Sequence, residues 1–502
     1  VGGGATVAST TVLDMTGIAT FNSSLGGGAF RLGSSDTSVS VADTVTVLLA
    51  PTSTITAGTL DVGASTAHSG THTLTFGTGL TTINADSFNI GGVSTGTTVV
   101  RANGVVNFAV GAGTLKVRAA NGTGAATINV VNTTGSTNQT LSGTASFAGN
   151  SVDILAGTLT IASRAPTATT NTASTTGSMT FDTGTLTATT LALSSRGGSS
   201  LTTGSVTGSL TIGGTSALTT ATFTTVNMSA NSTSTANSSG NAISTLDISG
   251  QGTVAVTTLN MGTLSVSGAT ASSSTQATLN IAGTGAVNIT TLNMGVSTLS
   301  GTTATGGTFA TMNINGSTTT IGTLNMAVNS ATVAATLATL ASATINLNSG
   351  TLRVTGNLTM GNTTVNALNA VTSSIIITGG LLMVDGNIAA TNGTGVETST
   401  LTLNGGVLDM TGGTIGASGN LVTNFNLQQG TLKNLADFNA GAALVKSTGG
   451  TLILDGTNAY VGDTTFAVGG GTIQLGSNNV LPDGTGKGNF VTTNGLLNMN
   501  GF

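Results

Sequence analysis

The chain has no cysteine and no tryptophan, only 3 prolines in 502 residues, and charged side chains at only 5% of its positions. Without cysteine, no disulfide framework, thiolate nucleophile or cysteine-based metal site can form. The scarcity of proline, together with glycines that follow no three-residue period, excludes collagen. Hydrophobic residues make up 38% of the chain and the mean hydropathy is positive, which argues against a flexible polar tract.

The few charges are spread thinly along the chain and sum to a net charge of −5. No run of basic residues offers an electrostatic surface to nucleic acid or to a membrane. The longest apolar stretch, Ile375 to Val384, is interrupted by Thr378-Gly379-Gly380 and is shorter than the ~20 residues that a membrane-spanning helix needs. The sequence therefore predicts no nucleic-acid partner and no membrane span.

The chain instead contains short alternating segments that end in glycine, asparagine or serine, such as Thr114-Leu115-Lys116-Val117 and Thr351-Leu352-Arg353-Val354. Alternation over four to six residues followed by turn residues is typical of short β-strands. Helix signals are weak, and only Ala331 to Ala343 could form a short helix or another strand. These patterns predict an all-β fold.

An internal repeat of about 33 residues is clearest in the segment 245–376. One strand pattern begins at Thr245, Thr278, Thr311 and Thr344. A second pattern, Thr-Leu-Asn-Met or a close variant, ends at Met261, Met294, Met326 and Met360. Looser copies nearer the N-terminal end recur every ~27–30 residues. The two patterns keep a nearly fixed distance from each other, so each repeat contains at least two strands.

Two strands in fixed phase within each repeat are typical of one coil of a β-solenoid. We predict a parallel β-helix with about 27–33 residues per coil. Because strand side chains alternate, Leu259 and Met261 are predicted to point inward, and Thr258 and Asn260 outward. Stacked coils would place equivalent residues in columns ~4.8 Å apart, along which asparagines can form hydrogen-bonded ladders. A third strand is expected near Ser297 to Ser300.

Residues 449–482 carry a more specific motif. Its sequence is Gly449-Gly450-Thr451-Leu452-Ile453-Leu454-Asp455-Gly456-Thr457-Asn458-Ala459-Tyr460, then Gly462 and Thr464-Thr465, and after a spacer Gly471-Thr472-Ile473-Gln474-Leu475-Gly476. This segment resembles the autotransporter-associated β-strand repeat, from which Asp463 and the extra glycines at 469–471 depart. The resemblance implies a right-handed parallel β-helix and an exported passenger on the surface of a Gram-negative-type bacterium. The family pattern names no catalytic residues.

We accordingly predict two regions. Residues 1–448 form a β-solenoid of degenerate repeats, and residues 449–502 continue it with the autotransporter-associated repeat. The last residues, Gly495 to Phe502, have the pattern of a further strand, so we expect the chain to be a piece of a longer protein.

The two histidines, His68 and His72, form the first candidate site. On a strand they would lie ~13 Å apart, which is too far to share a metal ion. No cysteine or nearby carboxylate completes a set of ligands, so we predict a solvated turn. Asp36/Asp43 and Asp455/Asp463 are isolated pairs and lack the regular series that calcium-binding repeats require.

Asp385 and Asp455 form the second candidate site, because each precedes a glycine at the end of a similar strand. Many β-helical enzymes cleave polysaccharides with paired carboxylic acids. The separation in sequence, however, predicts that the two residues lie two or more coils apart, and Asp-Gly is a standard turn. The sequence therefore predicts no enzyme and no catalytic, cofactor-binding or metal-binding residue.

Three functions remain open at this stage. The first is an extracellular structural protein, namely a stalk, filament subunit or adhesin passenger that self-associates end to end or laterally into fibres. The second is a monomeric adhesin module that binds a glycan or a cell surface through its threonine-rich faces. The third, which the composition favours least, is a polysaccharide hydrolase or lyase.

Overall fold

The computed structural model describes residues 9–33, 43–63, 70–94, 102–133, 139–165, 172–198, 203–214, 219–233, 239–265, 273–298, 306–330, 340–363, 370–391 and 396–502. Every regular element in these ranges is a β-strand, and the strands stack in parallel as a β-solenoid with ~32 residues per coil. The predicted all-β fold and parallel β-helix are thus confirmed.

The strands are β1 (Thr10–Asp14), β2 (Thr20–Ser24), β3 (Ala29–Leu32), β4 (Thr44–Leu48), β5 (Thr52–Val62), β6 (Thr71–Phe76), β7 (Leu80–Ser94), β8 (Asn103–Phe108), β9 (Thr114–Arg118), β10 (Ala126–Thr133), β11 (Leu141–Ser146), β12 (Ser151–Arg164), β13 (Thr175–Phe181), β14 (Thr183–Gly198), β15 (Val206–Ile212), β16 (Thr220–Thr233), β17 (Ala242–Ile248), β18 (Thr253–Leu264), β19 (Thr275–Ile281), β20 (Ala286–Ser297), β21 (Gly307–Asn329), β22 (Leu340–Val354), β23 (Leu358–Thr363), β24 (Ala370–Ile377), β25 (Leu381–Val384), β26 (Ile388–Thr391), β27 (Val396–Asp409), β28 (Thr414–Ile415), β29 (Asn424–Lys433), β30 (Asp437–Phe438), β31 (Leu444–Lys446), β32 (Thr451–Asp455), β33 (Thr464–Phe466), β34 (Thr472–Leu475) and β35 (Leu496–Asn498).

The chain divides into two compact units. Unit 1 comprises residues 1–277 and 303–306, and unit 2 comprises residues 278–302 and 307–502. Each unit is described by itself below.

A coil of unit 1 has three faces, as residues 175–198 illustrate. Strand β13 forms the first face, and β14 forms the other two because it bends at Thr189, where the parallel pairing with β12 skips one residue. The side chains of Leu186, Leu191 and Leu193 are fully buried. Alternation along the strand therefore fills the interior with aliphatic side chains and leaves threonine and serine outside.

The predicted pairing of the Thr-Leu-Asn-Met strands is confirmed within each unit. In unit 1, Asn227 pairs with Asn260 and Met228 with Met261. In unit 2, the strand from Thr291 to Met294 pairs residue by residue with Thr323 to Met326. The leucines and methionines of these strands are at most 1% exposed, which confirms the predicted division between interior and exterior.

A column of residues in the left-handed backbone conformation turns the chain after the third face. In unit 1 it is filled by Val131, Ala162, Ser194 and Ser229, whose φ angles lie between 53° and 61°. In unit 2, Gly295, Ala327 and Gly361 occupy the same place. Left-handed backbone costs non-glycine residues roughly 1–2 kcal/mol. The four unit 1 side chains are fully buried, so packing between coils offsets this cost.

Several sequence expectations differ from the structure in detail. The additional strand of each repeat, which was expected near Ser297 to Ser300, lies before the Thr-Leu-Asn-Met strand, at Thr253 to Val256 in unit 1, where it forms the second face. Ser297 ends β20, and residues 299–300 lie outside the described residues. Of the ambiguous segment 331–343, residues 340–343 belong to strand β22, and residues 331–339 are not described.

The coils of unit 2 shorten toward residue 502. Leu432, Leu454 and Leu475 are successive register partners, so each of these coils takes roughly 21–22 residues. The sequence predicted about 27–33 residues per coil. The later coils are shorter because their faces contain strands of only three to five residues.

Candidate functional site

The structure separates the two aspartates that the sequence singled out. The register runs from Met383 through Asp409 and Lys433 to Asp455, so Asp455 lies three coils, or ~14 Å, from the coil of Asp385. Asp385 also stands two residues beyond Met383, in a different column. The two carboxylates do not converge, and the spacing exceeds the separations of glycosidase acid pairs.

Each of these aspartates has a basic partner instead. Arg353 donates to Asp385 Oδ2 from Nε at 2.9 Å and from Nη2 at 2.7 Å. Lys433 Nζ lies 3.0 Å from Asp455 Oδ2. The hydrogen bond from Lys433, reinforced by the Gly456 N–H, lowers the pKa of Asp455 below its ordinary value. A depressed pKa suits an ion pair at a strand end and is the opposite of what a general acid needs.

The prediction of a solvated turn is wrong for His72. His72 lies in β6 on the same side as Leu74 and Phe76, and its side chain is fully buried. Its Nε2 lies 3.7 Å from Oδ1 of Asp43, which is also buried. The alternation of Thr71 to Phe76 predicts an inward side chain at position 72, whereas Gly70 is typical of a turn. His68 and Asp36 lie outside the described residues.

The hydroxyl face of unit 1 is formed by the outward residues of β11, β13, β15 and β17. Two columns of outward residues run across these strands in unbroken register. One consists of Thr144, Ser178, Ser209 and Thr245, and the other of Ser146, Thr180, Thr211 and Asp247. All eight side chains are partly exposed. The face therefore presents short hydroxyl groups at the spacing of the coils, and these two columns carry a single charge.

Asparagine side chains form axial ladders along the outer sides of the strands, on more than one face of the coil. In unit 1, Asn89 Nδ2 donates to Asp61 Oδ1 at 2.7 Å, and Asn129 Nδ2 donates to Asn89 Oδ1 at 2.9 Å. Arg31 completes this ladder with a 2.9 Å bond from Nε to Asp61 Oδ2. In unit 2, equivalent amide bonds of 2.8–2.9 Å join Asn280 to Asn313 to Asn346, Asn293 to Asn325, and Asn315 to Asn348. The predicted ladders are thus present in both units.

Two buried arginines occupy a corner of unit 1 that the sequence did not reveal. Arg164 and Arg196 are register partners and only 2% and 1% exposed. Arg164 Nη1 donates to Thr175 Oγ1 at 3.1 Å, and Arg196 donates to the Gly204 carbonyl at 3.2 Å and to Ser273 Oγ at 3.3 Å. Burial lowers the pKa of each to about 10, helped at Arg196 by the charge of Arg164. Both arginines thus tie the corner together through neutral groups.

The residues of the 449–482 motif have structural roles in unit 2. Asn458 accepts from Leu435 N at 3.0 Å and donates to Val480 O at 3.2 Å, which links the coils on either side. The buried Tyr460 hydroxyl lies 2.7 Å from Thr464 Oγ1, and burial raises the pKa of this tyrosine to about 12. Asn458 therefore joins neighbouring coils, and Tyr460 joins two residues of the same coil.

A groove of ~390 Å³ crosses three coils of unit 2. It is lined by hydroxyl, amide and small residues, namely Thr411, Gly412, Asn434, Ala436, Thr457 and Ala459. The amide of this lining is already engaged, because Asn434 donates to Asp409 and accepts from Thr457 N.

The described residues contain no group of three or more histidines or acidic residues placed to hold a metal ion, and no helix long and apolar enough to cross a membrane. Comparison of the chain with protein-family models, with curated proteins and with solved structures finds no significant match.

Proposed function

We propose that the chain is a structural β-solenoid on the outside of a Gram-negative-type bacterium, as a stalk, a filament subunit or an adhesin passenger, and that it has no catalytic activity. The observation that supports this most directly is the axial amide ladders. Their side-chain hydrogen bonds join coil to coil, so the polar groups stabilise the stack and are not directed at a ligand.

The extracellular location rests on the resemblance of residues 449–482 to the autotransporter-associated repeat. The roles of Asn458 and Tyr460 agree with a repeat whose defining residues are structural. The absence of cysteine suits export through an oxidising periplasm, since no unwanted disulfide can form.

End-to-end contact is the proposed mode of self-association. In unit 1, strands β1 to β3 and their turns expose Val12, Ile18 and Leu25, and in unit 2, β35 and the turn after it expose Leu496 and Met499. Exposed apolar side chains beside strand edges favour the addition of another coil. A second copy of the chain is the partner that this proposal names.

Electron microscopy of the purified protein at neutral pH and moderate salt tests the proposal. We expect fibres with a regular axial repeat in the wild type and no fibres in a Leu496→Lys/Met499→Lys variant. Phe309→Lys is the control, because it places a charge on an outward position of β21, and this variant should still form fibres. Fibres that survive the double variant but not Phe309→Lys would indicate lateral association instead.

Isolated particles in the wild type would contradict self-assembly. They would favour the second candidate function, a monomeric adhesin that binds a glycan. The groove between Thr411 and Ala459 is the feature that supports this candidate, because a lining of hydroxyl, amide and small residues suits a sugar chain. Binding to a glycan array would then be the next measurement.

A further inference from the structure

Glu397 is the only glutamate of the chain, and it lies on the inward side of β27. The next inward residues along this strand, Ser399, Leu401 and Leu403, are fully buried. Its register partner in the preceding coil, Val371, is 1% exposed. An acidic side chain therefore occupies a place where the neighbouring coil has an aliphatic one.

The carboxyl group of Glu397 packs against Gly361, which is the left-handed corner residue of β23 with φ +75°. A Cβ atom added to Gly361 would lie 2.6 Å from Glu397 Oε1. Ala327, in the same place one coil earlier, has a fully buried methyl group. The missing side chain at Gly361 thus leaves the space that the glutamate fills.

The surroundings of this carboxyl group offer it no hydrogen bond. Both of its oxygens are shielded from solvent and have no hydrogen-bond partner among the described residues. Burial raises the pKa of Glu397 to about 7. An ionised carboxylate would be poorly accommodated here, because it would lack the water or donors that stabilise its charge.

The ionisable groups on the strands packed against Glu397 are all engaged elsewhere. Strands β23, β24 and β25 contain no ionisable side chain. On β29, Lys433 pairs with Asp455, and on β27 itself Asp409 accepts from Asn434. Arg353, on β22, pairs with Asp385. The sequence segments 364–369 and 392–395 contain no ionisable residue. No described charge therefore offsets the ionisation of Glu397.

We propose that Glu397 is a pH-sensitive latch, which holds the start of β27 against β23 and β24 while its carboxyl group is neutral and releases it on ionisation. The sign follows from proton linkage. Between the ordinary glutamate pKa and about 7, the folded coil keeps the proton that the opened coil has lost. The latch is therefore fully closed below the ordinary glutamate pKa, and it weakens as the pH rises toward and through neutrality.

Hydrogen exchange of the full chain, followed by mass spectrometry and corrected for intrinsic exchange rates, tests the latch. Between pH 5.5 and pH 8.0 we expect the protection of residues 397–403 to fall about tenfold in the wild type. In Glu397→Gln, which keeps the shape without the charge, protection should stay constant. Asp14→Asn, a change at an exposed carboxylate of unit 1, serves as a control that keeps the wild-type profile.

A wild-type protein with unchanged protection of residues 397–403 across this pH range would overturn the proposal, whether or not the Gln variant folds. An equal pH dependence in Glu397→Gln would overturn it as well. Gly361→Ala supplies an independent check, because its methyl group would displace the carboxyl group and should lower the protection of the same residues already at pH 5.5.

Discussion

At the scale of single residues, the outward asparagines act more as connectors than as surface groups. Asn89 is only 8% exposed although it lies on the outer side of β7, because it is stacked between Asp61 and Asn129. Each such hydrogen bond contributes a net ~0.5–1.5 kcal/mol, and a buried partner left without one costs ~1–3 kcal/mol. The ladder is thus more costly to break than its individual bonds suggest.

Asn89→Ala should therefore lower the free energy of unfolding by about 2 kcal/mol, because Asp61 Oδ1 and Asn129 Nδ2 each lose a partner. Urea denaturation of the variant and the wild type measures the change. Asn22→Ala is the matched control, since Asn22 is an exposed outward residue of β2, and it should alter stability by less than about 0.5 kcal/mol. Equal losses in the two variants would mean that the ladder adds nothing.

At the scale of the element, the left-handed corner sets how closely successive coils approach. Gly295 has φ +64°, and a Cβ atom there would lie 2.7 Å from the backbone oxygen of Ser342. Ala327 occupies the same corner one coil later with its methyl group buried. The space at the corner therefore differs from coil to coil, although the backbone conformation is the same.

Gly295→Ala is expected to destabilise unit 2 by ~2–4 kcal/mol, the sum of left-handed strain and the clash with Ser342. Gly412→Ala separates the two causes, because Gly412 has φ +98° but no atom within 4 Å of the added Cβ. The control should lose only about 1 kcal/mol. Thermal unfolding of both variants measures the two losses of stability. Losses of the same size would show that the corner at Gly295 has room for a methyl group.

The same scale explains what the sequence could and could not predict. Alternation within Thr258 to Met261 is a local property, so the buried and exposed sides and the asparagine ladders followed from it directly. The prediction that Asp385 and Asp455 lie two or more coils apart is confirmed, but their exact register depends on the length of every coil between them, and those coils shorten. The pairing of Glu397 with Gly361 likewise depends on which coils meet at a corner, which no single repeat encodes.

At the scale of the whole molecule, stability is distributed along the stack. The described strands pair in parallel with strands of neighbouring coils, so that each coil buries its interior mainly against the coils beside it. Such repeat folds behave approximately as a sum of coil stabilities and nearest-neighbour terms. A defect in one coil should consequently remain local.

Leu432→Ala tests this locality, because Leu432 is fully buried in register with Leu408 and Leu454. Removal of its side chain should cost ~2–5 kcal/mol in the surrounding coils. In native-state hydrogen exchange, we expect protection to fall in β27, β29 and β32 and to stay unchanged in β5 and β7 of unit 1. Leu421→Ala, at a side chain that is 41% exposed, should leave both regions unaffected. A uniform loss of protection throughout the chain would contradict nearest-neighbour coupling. It would show that the coils unfold as one cooperative body. A single weak coil would then set the stability of the entire molecule.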